Sequence, residues 1–77
     1  MRKLTIRDRR NIASLLGNLA LTRDEKWGML IGIECLGYIT RTTVLTLIDN
    51  VDMLEEGIQI TEETFYKLLM LCTSRGL

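Results

Sequence analysis

The sequence predicts an all-α fold, a compact four-helix bundle or orthogonal helical array forming a single small domain over residues 1–77. Three observations carry this expectation. Apolar residues recur at helical spacing in four segments. Threonines stand at the heads of those segments, two of them followed three residues later by an acid. No proline occurs in the 77 residues to break any of them.

The first helix is expected over about residues 5–20. Thr5 caps it with Asp8 in the capping-box position, and Ile6, Ile12, Leu15, Leu16 and Leu19 form an apolar stripe opposite Arg7, Arg10, Asn11 and Asn18. "LTRDE" stops and restarts the chain. Thr22 and Glu25 make a second capping box, so the second helix should run over about 23–37, with Gly37 as a left-handed C-cap. Thr40 caps a third helix over about 41–56, carried by Val44, Leu47, Ile48, Val51 and Leu54 and ended by Gly57. "IQIT" then reads as a short extended connector without an obvious strand partner. Thr61 caps a fourth helix over about 62–75, with Glu62 and Glu63 favourably placed against the helix dipole and Gly76 ending it after Arg75. The expected core is Ile12, Leu16, Leu19, Gly32, Leu36, Val44, Ile48, Val51, Phe65, Leu68, Leu69 and Cys72.

A chain of this length buries only ~60% of its unfolded surface, so its stability margin is thin. Disulfides, metals or oligomers commonly widen such a margin. The two cysteines, Cys35 and Cys72, lie inside apolar helical stretches, and the opening "MRKLTIRDRR" has no apolar leader region. Reduced, buried cysteines in a cytoplasmic protein are therefore expected. No histidine and no CxxC is present, so no metal and no cofactor is expected. That leaves oligomerisation, and a homodimer is the expectation.

Formal net charge is zero, but the charges are segregated. Arg2, Lys3, Arg7, Arg9 and Arg10 crowd the start, opposed there only by Asp8. Between Arg41 and Lys67 every charge is acidic: Asp49, Asp52, Glu55, Glu56, Glu62 and Glu63. Such an arrangement suits charge matching within the fold or head-to-tail between copies.

Residues 27–39, "WGMLIGIECLGYI", carry one charge, Glu34. As a helix this stretch spans about 20 Å, short of the ~30 Å hydrocarbon core, and Glu34 would sit near its middle, so a membrane span is not expected. Wound at ~100° per residue, one face collects Gly28, Met29, Gly32, Cys35, Leu36 and Ile39. It is small and apolar, and predicts close backbone packing. The other face collects Arg23, Trp27, Leu30, Glu34 and Tyr38, residue types common at binding hot spots. These five are the expected partner interface, with Glu34 at its rim. The plainer alternative has Trp27 and Tyr38 covering the ends of the first and fourth helices, with Glu34 solvated between them.

Catalysis has little support. No histidine is available as a near-neutral base, the cysteines have no visible activator, and there is no phosphate-cradling glycine loop. Nucleic-acid binding is the rival reading. "CLGYITRTTVLTLID" resembles the turn and recognition helix of a helix-turn-helix, which implies Arg41, Thr42 and Thr46 facing the groove and Arg2, Lys3, Arg7 and Arg10 as a basic arm on phosphates. The match departs from the family pattern at Ile33, where a small residue is usual, and a neutral chain is atypical of a dedicated DNA binder. The leading expectation is a small non-enzymatic regulator, inhibitor or adaptor that docks on another protein. Its size and composition resemble those of phage or mobile-element products.

Overall fold

The structure, a computed structural model, describes residues 2–73 and is all-helical among them. Four helices run α1 (Ile6–Leu16), α2 (Arg23–Cys35), α3 (Arg41–Glu55) and α4 (Glu62–Thr73). Helix α1 packs on α4, α2 on α3, and α3 on α4, while α1 and α2 touch each other little. Residues 74–77, with the expected end of the fourth helix, lie outside the described residues.

Local chemistry sets the boundaries. Both capping boxes form: Thr5 Oγ1 accepts from Asp8 N at 3.0 Å, and Thr22 Oγ1 accepts from Glu25 N at 3.1 Å, with each acid reaching back to its threonine's amide. Thr40 Oγ1 accepts from Thr43 N at 3.2 Å. The Thr61 cap is looser, at 3.4 Å from Thr64 N. Gly37 and Gly57 have φ of +87° and +91°. Each closes a Schellman motif: Gly37 N and Tyr38 N donate back to Glu34 O and Ile33 O, and Gly57 N and Ile58 N to Leu54 O and Met53 O.

Helix α1 is shorter than expected and stops at Leu16. Asn18 Oδ1 accepts from Ala20 N at 2.9 Å, a local bond that competes with the next helical turn. Leu19 is thereby carried into the connector and is 77% exposed, not core. The buried face of α1 is also rotated from the expected stripe. It holds Arg9, Ile12, Ala13 and Leu16, while Ile6 and Leu15 face out. Arg9 lays its stem along the core and donates from Nε to Thr73 Oγ1 at 2.7 Å.

The core joins Leu4, Ile12, Ala13, Leu16, Leu30, Ile39, Val44, Leu47, Ile48, Val51, Phe65 and Leu69. Leu68 and Cys72 are only half-buried. Gly32 and Leu36, expected inside, are exposed, because the small face of α2 points outward. A Cβ at Gly28 or Gly32 would meet nothing within 4 Å, so neither glycine serves close packing inside this chain. Cys35 lies on that outward face and is exposed rather than buried; both it and Cys72 are free thiols. No described helix is long and apolar enough to cross a membrane.

Candidate functional site

Helix α2 is apolar nearly all round, so its own periodicity does not choose an inner face. The pairs at its two ends do. Arg23 Nε lies 3.0 Å from Asp52 Oδ1 near the end of α3, and Arg41 at the start of α3 reaches back to Glu34. Together they turn Arg23 and Glu34 toward α3, whereas Tyr38, past the Gly37 turn, faces the α1 side beside Leu4 and Ile12. Leu30 is fully buried in the core, so it is corrected from interface residue to core residue. Trp27 is half-buried, and the Arg23 guanidinium stands 5.5 Å from its ring. The hydrogen bond that guanidinium donates to Asp52 holds it above its usual pKa, with burial acting the other way.

Glu34 answers its own puzzle here. Its side chain is only 20% exposed and clasps Arg41. The Arg41 Nε sits 3.0 Å from Oε1 and 3.1 Å from Oε2. The N–H is directed at Oε2, and buried Oε1 accepts no hydrogen bond.

Sequence reasoning missed Lys26, which is 1% exposed on the inner side of α2. Burial pushes its pKa below the usual lysine value, opposed by the charge of Glu55. Its signal was its place one turn before Leu30.

The expected nucleic-acid residues are not brought together as one free basic surface. Arg41 is engaged by Glu34, and Thr46 Oγ1 donates to Thr42 O at 3.0 Å. Thr42 is exposed, but beyond Arg41 the other outward positions of α3 are Leu45, Asp49 and Glu55. Arg10 lies on the α4 side, 2.9 Å from Glu63 and 3.6 Å above the Tyr66 ring; the Glu63 hydrogen bond raises its pKa. Of these basic residues Arg2, Lys3 and Arg7 are exposed without an ion pair among the described residues, as is Lys67 on α4.

The surface that stands out lies where α1 and α2 diverge. An open cleft of about 270 Å³ forms there. Buried Leu4 and Ile12 floor it, and Ile33, Leu36 and Tyr38 wall it from the other side. Leu36 is 59% exposed at its rim. Asp8 also borders the cleft, with its carboxylate committed to the α1 cap. A roomier hollow of about 400 Å³ lies under Leu19, Leu54 and Ile58. It is built largely from two connectors, and Ile58 is there as the apolar residue that follows a Schellman turn. The α1–α2 cleft has helical walls and a core floor, the features of a preformed binding surface.

Compared with known protein families, curated proteins and solved structures, the chain matches none.

Proposed function

We propose that this chain is a small non-enzymatic interaction protein, a regulator, inhibitor or adaptor, that works by docking the α1–α2 cleft on another protein surface. The observation that carries the reading is Leu36, an exposed leucine standing over a cleft with a buried apolar floor. An apolar anchor beside a preformed groove is the usual centre of a docking site. The sequence supports the non-enzymatic part, since it offers no histidine and no nucleophile–base pair. An exposed free thiol at Cys35 fits the reducing cytoplasm. Arg23, Trp27 and Glu34 then border the α2–α3 seam and keep α2 in place behind the cleft, while Tyr38 belongs to the cleft wall.

The test is quantitative capture from the source cells, using wild type, Leu36→Asp, and Leu71→Asp on α4 as an exposed control. A partner lost with Leu36→Asp and kept with Leu71→Asp is expected. Equal capture by all three overturns the reading. A sequence-specific DNA shift at physiological salt that disappears in Arg41→Ala would overturn it in favour of nucleic-acid binding.

A further inference from the structure

We propose that the occupant of the α1–α2 cleft is a second copy of this chain, docked across a two-fold axis with the two α2 helices antiparallel. This rests on the docking reading of the cleft and names its partner.

Charge supplies the first argument. The outward surface of α2 has ends of opposite sign. At its N-terminal end Asp24 and Glu25 are both exposed. At its C-terminal end the segment preceding α1 is fastened on: Arg2 N donates to Gly37 O at 2.9 Å, and the Arg2 guanidinium stands 5.6 Å from the Tyr38 ring. Lys3 and Arg7 follow, both exposed. Asp24 is in no ion pair among the described residues, like Arg2, Lys3 and Arg7, whereas Arg10, Arg23 and Arg41 are matched within the fold. A copy laid parallel would set like charge on like. A copy related by a two-fold sets the acidic end of each α2 against the basic end of the other, and every favourable pairing occurs twice.

The surface between these ends supplies the second argument. Glu25, Met29, Gly32 and Leu36 form one helical row beside the cleft, and Asp24, Gly28, Ile31 and Cys35 form the next. Each row opens on an acid and is otherwise without charge. The one carboxylate in the following stretch, Glu34, is turned to α3. Another helix can approach closely over Gly28 and Gly32, since the space above both is empty. Covering this surface also addresses the thin margin of a 77-residue chain, which a second copy widens.

Sedimentation equilibrium on the full chain tests the proposal. Wild type should sediment at twice the 8.8 kDa chain mass, and Leu36→Asp, at an exposed position, should keep its helical circular dichroism and sediment as a monomer. Asp24→Lys and Lys3→Glu should each weaken the dimer about tenfold, because each reverses two contacts related by the axis. Mixing these two variants should restore association to near wild type. In that mixed pair both charge contacts are again opposite in sign, a result no intramolecular effect of either change can give. Wild type that stays monomeric at about 0.5 mM overturns the proposal, as does a Leu36→Asp dimer or a mixture no tighter than its parts. A monomer that still captures a different protein through Leu36 overturns the second copy and keeps the docking reading. Capture indifferent to Leu36 overturns the docking reading itself.

Discussion

Helix α1 has two flanks of similar composition. Against α4 the seam is closed: Ala13 and Leu16 meet Phe65 and Leu69 in the core, and all four are fully buried. Gly17 lets the backbone of Glu62 come within 3.4 Å of where a Cβ would stand. Arg9 and Arg10 tie the two helices through Thr73, Glu63 and Tyr66. Toward α2 the seam is open, and Leu4, Ile12, Ile33 and Leu36 line a cleft instead of a joint. Both flanks are rich in leucine and isoleucine, so apolarity does not separate them. The closed flank has Gly17 against the start of α4 and side-chain ties from Arg9 and Arg10 along the helices, whereas the open one is bridged at its edge, by the Arg2 amide on Gly37 O and the Arg2 guanidinium near Tyr38. The same contrast divides the glycines. Gly17 faces a neighbouring backbone, whereas Gly28 and Gly32 face empty space.

The largest expected effect measures how unequal the flanks are. Phe65→Ala removes a fully buried ring from the closed side and should cost ~3–5 kcal/mol in denaturant unfolding. Leu36→Ala, on the open side, should change the stability of the dilute, monomeric chain by no more than ~0.5 kcal/mol. Comparable losses at the two sites would mean that the cleft is filled in solution by the chain's own residues.

Next in size is the charge on the inner side of α2. Burial lowers the pKa of Lys26, so the unfolded chain binds more protons than the folded one from that lowered value up to the ordinary ~10.4. Stability should therefore rise as pH climbs through this window, and the penalty is fully present below it. Lys26→Met keeps the stem and removes the charge. Its unfolding free energy should exceed that of wild type at neutral pH, with the difference shrinking toward pH 10. A difference independent of pH would show that the ammonium is well solvated at the helix surface.

Much of this molecule was legible because its signals are local. The Thr5–Asp8 and Thr22–Glu25 boxes, the Thr40 cap and the turns at Gly37 and Gly57 each involve residues within a few positions of one another, and all formed as read. The end of α1 was hidden by a competing signal just as local, the Asn18 side chain. What could not be read was orientation. Past its charged first turn helix α2 has apolar residues on every side, so its moment is small, and its inner face is chosen by Asp52 and Arg41 on α3, outside the helix itself. Leu30 therefore passed from the expected contact stripe to the core, and Gly32 and Leu36 passed the other way. The cleft was unreadable for the same reason, since it exists only where α1 and α2 part.

The glycines sharpen the comparison further. Gly32→Ala adds a methyl where nothing lies within 4 Å and removes glycine's entropy cost inside a helix. The monomeric chain should gain up to ~1 kcal/mol, a rise of several degrees in Tm for a domain of this size. A loss measured at low concentration would place an unseen neighbour against the outward face of α2. If the loss emerges only at concentrations where the chain associates, the neighbour is the second copy.

The smallest expected effect returns to Glu34, at the junction of the α2–α3 seam and the turn that leads from the cleft. Two terms oppose each other there. The carboxylate meets Arg41 at 3.0 Å, yet Oε1 is buried and accepts no hydrogen bond, so burial costs part of what the pair contributes. Arg41 is 58% exposed, which screens the attraction and keeps the pair near the surface range of under ~1 kcal/mol. Glu34→Gln preserves the shape and one acceptor and removes the charge. We expect a loss of about 0.5 kcal/mol at low salt, shrinking at 1 M NaCl where the Debye length falls to ~3 Å. Both measurements belong on the dilute chain, so that association does not contribute. A loss that fades with salt identifies the ion pair as the clasp between α2 and α3. A gain would mean that desolvation outweighs attraction at Glu34, and that the turn is held by the Gly37 Schellman bonds and the Arg2 amide instead.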